Sequence, residues 1–174
     1  MRHPSGIDLP NKVAIFQHIT WYNGIQNTPR EEETMSTVPD WNAEVIAEFR
    51  ANKGEVDGPI ENPPPMLLVH TIGARTGEER ITPMRCRPEG EAWYIFGSAH
   101  GSDRHPGWYY NIVANPDIEI EIGTDTVPVH ATILHGPERD RIFAAHAAVF
   151  PIFAEYQARL ERTIPVVRLD RRAV

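Results

Sequence analysis

The sequence predicts a mainly β fold of the α+β class: an antiparallel sheet, closed into a small barrel, with helices at its periphery. Three observations carry this. Apolar segments of strand length recur after Met66: the run Met66–Val69, the run Trp93–Phe96, and Ile118, Ile120 and Ile122 alternating with Asp117, Glu119 and Glu121. The links between them are short and hairpin-like, with Gly73, Gly77, Gly90 and Gly123 at the turns. Strands and helices do not alternate as βα units, so a parallel sheet is not expected.

The chain has 174 residues, enough for one domain with a sizeable core. Residues 1–39 read as an N-terminal arm and helix, and 40–174 as the barrel domain. A helix is expected over 11–26, where Ile15, Ile19 and Tyr22 fall at helical spacing and Phe16 and Trp21 widen the face. Only Lys12 is basic there and Glu31, Glu32 and Glu33 follow, which gives peripheral contact with a membrane weak support. Residues 27–39 read as a linker. Asp40 is placed to cap a helix from Trp41 to about Asn52, with Val45 and Phe49 on its inner face. Pro63, Pro64 and Pro65 then bar regular structure.

Strands are expected over 66–71, 79–87 and 93–96. A glycine-containing loop, GSAHGSDRHPG, leads to a short helix over 108–114 that stops at Asn115-Pro116. Strands over 117–123 and 126–134 form a hairpin. Pro137 suits the first turn of a helix carrying Ile142, His146, Val149 and Phe150, and Pro151 separates it from another over 153–162. An apolar strand over 164–169 ends the domain.

The net charge of −7 excludes general nucleic-acid binding. No apolar run approaches the roughly 20 residues of a membrane span, and no apolar leader follows Met1. Cys86 is the single cysteine, which fits a reducing, cytoplasmic setting, and it reads as a structural thiol. The eight histidines show no metal-ligand spacing, and Ser98, His100 and Asp103 lack a nucleophile elbow, so neither a metal site nor a hydrolytic triad is expected.

The stretch from Met66 to Arg87 concentrates the chemistry. Gly73 and Gly77 bracket Ala74, Arg75 and Thr76, and successive amides in such a turn can cradle an anion. Arg75, Arg80, Arg85 and Arg87 cluster in an otherwise acidic chain. The same residues also suit a plain hairpin with solvated arginines. Trp108 and Asn111 lie three apart and share a helix face.

Four segments in order, HTIGARTGEERITPM at 70–84, HPGWYYNIVANP at 105–116, FPIFAEYQ at 150–157 and RTIPVVRL at 162–169, resemble the deazaflavin-dependent nitroreductase family. The resemblance covers about 40–170. It implies a split β-barrel of the FMN-binding type and an oxidoreductase that uses the deazaflavin coenzyme F-420. It places Arg75, Thr76, Gly77 and Arg80 on the coenzyme's phosphate and acidic tail. Thr82, Pro83 and Met84 would lie along the ring, Ser98, Ala99, His100 and Gly101 would give further donors, and Trp108 and Asn111 would shape the pocket. Phe150, Phe153 and Tyr156 would face the acceptor, with Tyr156 able to give the balancing proton. The implied acceptor is planar and apolar, such as a quinone, an enone or a nitroaromatic; the implied assembly is a monomer or homodimer. The family usually carries a lysine and two glycines after Ser98, where this chain has Ala99, His100 and Gly101, and often a basic residue at Ala74. A barrel that uses FMN, and a non-catalytic carrier of an apolar or flavin-like ligand, are the other readings.

Overall fold

A computed structural model describes residues 41–57 and 63–173. The expected helix over 11–26, the linker 27–39 and the Asp40 cap lie outside the described residues. The chain runs α1 (Trp41–Ala51), β1 (Met66–Ile72), β2 (Glu79–Arg85), β3 (Arg87–Glu89), β4 (Ala92–Phe96), α2 (Gly107–Ala114), β5 (Asp117–Ile122), β6 (Asp125–Ile133), α3 (Gly136–Val149), α4 (Ile152–Arg159) and β7 (Val166–Arg171). All strand pairs are antiparallel, in the order β2-β1-β5-β6-β7-β4-β3.

That order explains the barrel. The two edge strands, β2 and β3, are consecutive in the chain and separated only by Cys86. A seven-stranded sheet whose edges are one residue apart must curl back on itself. The single strand expected over 79–87 is therefore two. The Cys86 amide leaves the ladder and donates to the Pro65 carbonyl at 2.9 Å, and the chain crosses from one edge to the other there. The expected antiparallel barrel with peripheral helices is borne out.

Side-chain alternation sorts the core into three parts. Leu67, Val69, Met84, Trp93, Ile95, Ile118, Ile120, Val129, Val167 and Leu169 fill the barrel, and Trp108 and Ile112 of α2 pack among them. The opposite faces of β1 and β4 are apolar as well. Met66 and Leu68 meet Val45 and Phe49 of α1, while Tyr94 and Phe96 meet Ile142 and Phe143 of α3. Burial on both faces is why β1 and β4 read as unbroken apolar runs. Val149, expected on the inner face of α3, is instead 60% exposed because the helix ends there and the chain turns at Phe150-Pro151. The last helix stops at Arg159, short of the expected Arg162, since Leu160 takes extended backbone and turns into the core.

Helix α1 is docked by a backbone contact. Gly54, at φ +98°, follows α1, and a Cβ there would fall 2.6 Å from the Gly123 Cα in the β5–β6 turn. The Arg50 guanidinium adds a two-pronged bond to the Glu121 carboxylate. Glu121 also bonds His70, whose other ring nitrogen meets Glu79. Among the described residues no helix is long and apolar enough to cross a membrane.

Candidate functional site

The β1–β2 turn is built by its own hydrogen bonds. Gly73 N–H donates to the Glu78 carbonyl at 2.7 Å, and Gly77 N–H donates to the Gly73 carbonyl at 2.8 Å. The turn is then tied to α2. Ala74 N–H donates to Asn111 Oδ1 at 3.0 Å, Asn111 Nδ2 donates to Thr71 Oγ1 at 3.1 Å, and the buried Thr71 hydroxyl donates to the Arg80 carbonyl at 3.4 Å. Asn111 thus spends its amide on holding the turn and the helix together. Thr71, which the sequence reading left out, completes the relay.

Between turn and helix lies an open cavity of about 500 Å³, lined by Gly73, Ala74, Arg75, Thr76, Arg80, Thr82, Pro106, Gly107, Trp108, Tyr110 and Asn111, with Asn42 of α1 at its margin. Six residues expected in the site therefore come together: Arg75, Thr76, Arg80, Thr82, Trp108 and Asn111. Arg75 makes no ion pair or hydrogen bond among the described residues. Arg80 Nη2 bonds Glu78 Oε2 at 2.7 Å, with both side chains more than half exposed. Such a pair is weak and exchangeable. Two arginines, one without a partner among the described residues and one loosely held, thus line a cavity together with the buried Trp108. The donors suit an anionic tail and the apolar wall suits a flat ring.

The remaining expected residues sit elsewhere. Gly77 closes the turn. Met84 is buried in the barrel beside Trp108, on the face of β2 that Thr82 shares; Pro83, one residue out of phase, stands on the side of α1. Ser98 and Ala99 are buried, and His100 and Gly101 are half-buried, in a turn that begins the loop to α2. Phe153 packs on Phe96 and on the buried His146, whose ring stacks on Phe96 with centroids 3.8 Å apart. The Phe150 ring lies 5.0 Å from His146. The Tyr156 ring lies against Gly101, so that a Cβ there would fall 2.8 Å from Tyr156 Cδ1. These three aromatics, expected to face the acceptor, do not line the cavity. Among the described residues, no group of three or more His, Cys, Asp or Glu could hold a metal.

Residues 41–170 match the family model described as F420H(2)-dependent quinone reductase. The chain belongs to that family. It is 38% identical over 127 residues to an F420H(2)-dependent quinone reductase of Mycobacterium tuberculosis, covering 71% of this chain and 85% of the relative. Among solved structures, an F420-H2 dependent reductase superposes with a TM-score of 0.56 at 30% identity, over 66% of this chain and all of the other. A second, solved as a domain-swapped dimer, gives 0.58 at 31% identity over 75% and 98%. The family expected from the four segments and the one found agree.

Burial sets the protonation of three groups around the site. The Cys86 thiol is pushed up to about 12, burial outweighing the nearby Arg85, so it stays an inert thiol. His146 is brought down to about 4 by burial, with Arg87 adding in the same direction, so it is a neutral ring in an aromatic stack. His105 is lowered by burial first and by Arg162 second.

Proposed function

We propose that this protein is an oxidoreductase that takes the reduced deazaflavin coenzyme F-420 and reduces a quinone. The observation that carries the reading is the cavity: an Arg75 with no partner among the described residues and a loosely paired Arg80, beside Trp108, in a chain of the quinone reductase family. The coenzyme fits the donor set. Arg75 and Arg80 would hold its phosphate and acidic tail, with Thr76 and the turn amides still free adding donors; Thr82 and Trp108 would border the ring. When bound, the reduced deazaflavin supplies a hydride from its C5 carbon. The protein's own work is orientation. The Asn111–Thr71 relay fixes the angle between turn and helix. The proton that balances reduction comes from solvent, because Tyr156, Phe150 and Phe153 do not line the cavity. No protein nucleophile is needed. Use of FMN, or service as a carrier, is not favoured by the family. A homodimer is part of the proposal, in keeping with the dimeric structural relative, and the single buried Cys86 suits a cytoplasmic location.

Titration with oxidised coenzyme, followed by its fluorescence, tests the reading. Binding in the micromolar range or tighter is expected, weakened about tenfold or more in Arg80→Ala, since a charge-assisted hydrogen bond contributes roughly 1.5–3 kcal/mol. Binding of FMN in place of the deazaflavin would refute it, and so would binding without turnover of any quinone.

A further inference from the structure

The loop before α2 holds an unusual backbone. Ala99, His100 and Gly101 have φ of 46°, 53° and 77°, three left-handed residues in succession. For the two that are not glycine this costs on the order of 1–2 kcal/mol each, and such a turn persists only when its surroundings fix it. What fixes it comes from the far end of the sequence. Arg162, in the link between α4 and β7, donates from Nε to the Ser102 carbonyl at 2.9 Å and from Nη2 to the Ser98 carbonyl at 2.8 Å. Its Nη1 donates to the Gly97 carbonyl at 3.2 Å and lies 3.3 Å from His105 Nδ1. One guanidinium thus spans both ends of the turn. The contact is continued alongside it. Gly97 N–H donates to the Pro165 carbonyl at 2.9 Å, and a Cβ on Gly97 would lie 2.6 Å from Pro165 Cγ.

The loop runs straight into the cavity wall. His105 packs on Tyr109 with centroids 4.5 Å apart, and the next three residues, Pro106, Gly107 and Trp108, line the cavity. We propose that Arg162 is a positioning residue for the coenzyme cleft: by clamping 97–105 it sets where α2 begins, and through α2 it sets the Trp108 wall and the Asn111 tie to the β1–β2 turn. A planar fork is what the task needs, because three carbonyls must be reached at once. A lysine keeps the charge and reaches one or two. His105 must present an unprotonated Nδ1 to the guanidinium, so it carries its proton on Nε2. Burial and the adjacent guanidinium both disfavour a second proton.

The proposal rests on the coenzyme reading, and the experiment separates the two. Melting temperature would be measured for the wild type, Arg162→Lys and Arg85→Lys, and coenzyme affinity at a temperature where all are folded. Arg85 is the control: it is a part-buried arginine that also reaches two backbone carbonyls, those of Val56 and Pro64, at the end of β2 away from the β1–β2 turn. Arg162→Lys should bind about tenfold more weakly, and its His105 ring should show a mixture of the two neutral tautomers by nitrogen chemical shift. Arg85→Lys should melt earlier with an affinity within about twofold of wild type. His105→Phe keeps the ring on Tyr109 and deletes only the acceptor; it should lose about threefold, and it decides the matter if Arg162→Lys does not fold. A wild type that binds no coenzyme overturns the coenzyme reading. A binding wild type with unchanged affinity in Arg162→Lys or in a folded His105→Phe overturns the clamp, and so does equal loss in Arg85→Lys.

Discussion

Arg75 and Arg80 occupy one turn but start from different states. Among the described residues Arg75 has no partner to leave, whereas Arg80 must first leave Glu78. The two side chains of that pair are exposed, so the bond contributes at most about 1 kcal/mol. Glu78→Gln should therefore tighten coenzyme binding by about two- to fivefold at low ionic strength, with the gain vanishing in about 0.5 M salt. A weaker Glu78→Gln would mean that Glu78 aims Arg80 instead of competing for it. Cys86 gives a second test at this scale. With the thiol wholly buried and pushed up to about 12, it should resist a disulfide reagent at pH 8 until the chain unfolds. Arg75 and Arg80 stand out in the sequence because they cluster in an acidic chain, whereas Trp108 and Asn111 were placed at the cavity by the family resemblance. Thr71 and Arg162 were not legible, because their roles arise from partners 40 and 57 or more positions away, and no periodicity encodes a long-range hydrogen bond.

At the scale of elements, the apolar period and the turn residues were enough to place α1, β1, β5, α2 and α3 within a residue or two. The failures have physical causes. The stretch 79–87 reads as one strand because every residue in it suits extended backbone; only the sheet's closure decides that it breaks at Cys86. The docking of α1 was equally hidden, since it depends on two glycines, Gly54 and Gly123, meeting back to back. Gly54→Ala should therefore cost about 2 kcal/mol or more, both for the methyl at 2.6 Å from the Gly123 backbone and for the φ of +98°. A drop in melting temperature of roughly 4–8 °C is expected for a chain of this size. Coenzyme affinity should fall by less than about threefold, because Asn42 is the one residue of α1 on the cavity. A large loss of affinity with little change in melting would show that α1 shapes the site directly.

For the whole molecule the decisive property is how three apolar clusters share one curled sheet, and its response to acid reports on that sharing. His146 joins α3 to the outer face of β4 through its stack on Phe96, and it is held neutral, down at about 4 from an ordinary 6.5. The unfolded chain takes up the proton near 6.5, while the folded chain refuses it until near 4. Stability from this group is therefore full above about pH 6.5 and is lost as pH falls toward 4, by up to about 3 kcal/mol. Glu121 shifts the other way for a carboxylate: its hydrogen bond from Arg50, the largest cause, and that from His70 hold it below the usual range. Its contribution is intact above its ordinary value of 4.5 and is lost below it, so above pH 4.5 the His146 window stands clear of it. His146→Phe keeps the stack and removes the titration. Urea midpoints taken every half unit from pH 7.5 to 4.5 should show the stability difference between the variant and the wild type growing steadily in the variant's favour as pH falls. A difference that stays constant across that range would mean that His146 is protonated inside the folded protein, and that the contact between α3 and the barrel carries a charge the aromatic stack gives no reason to expect.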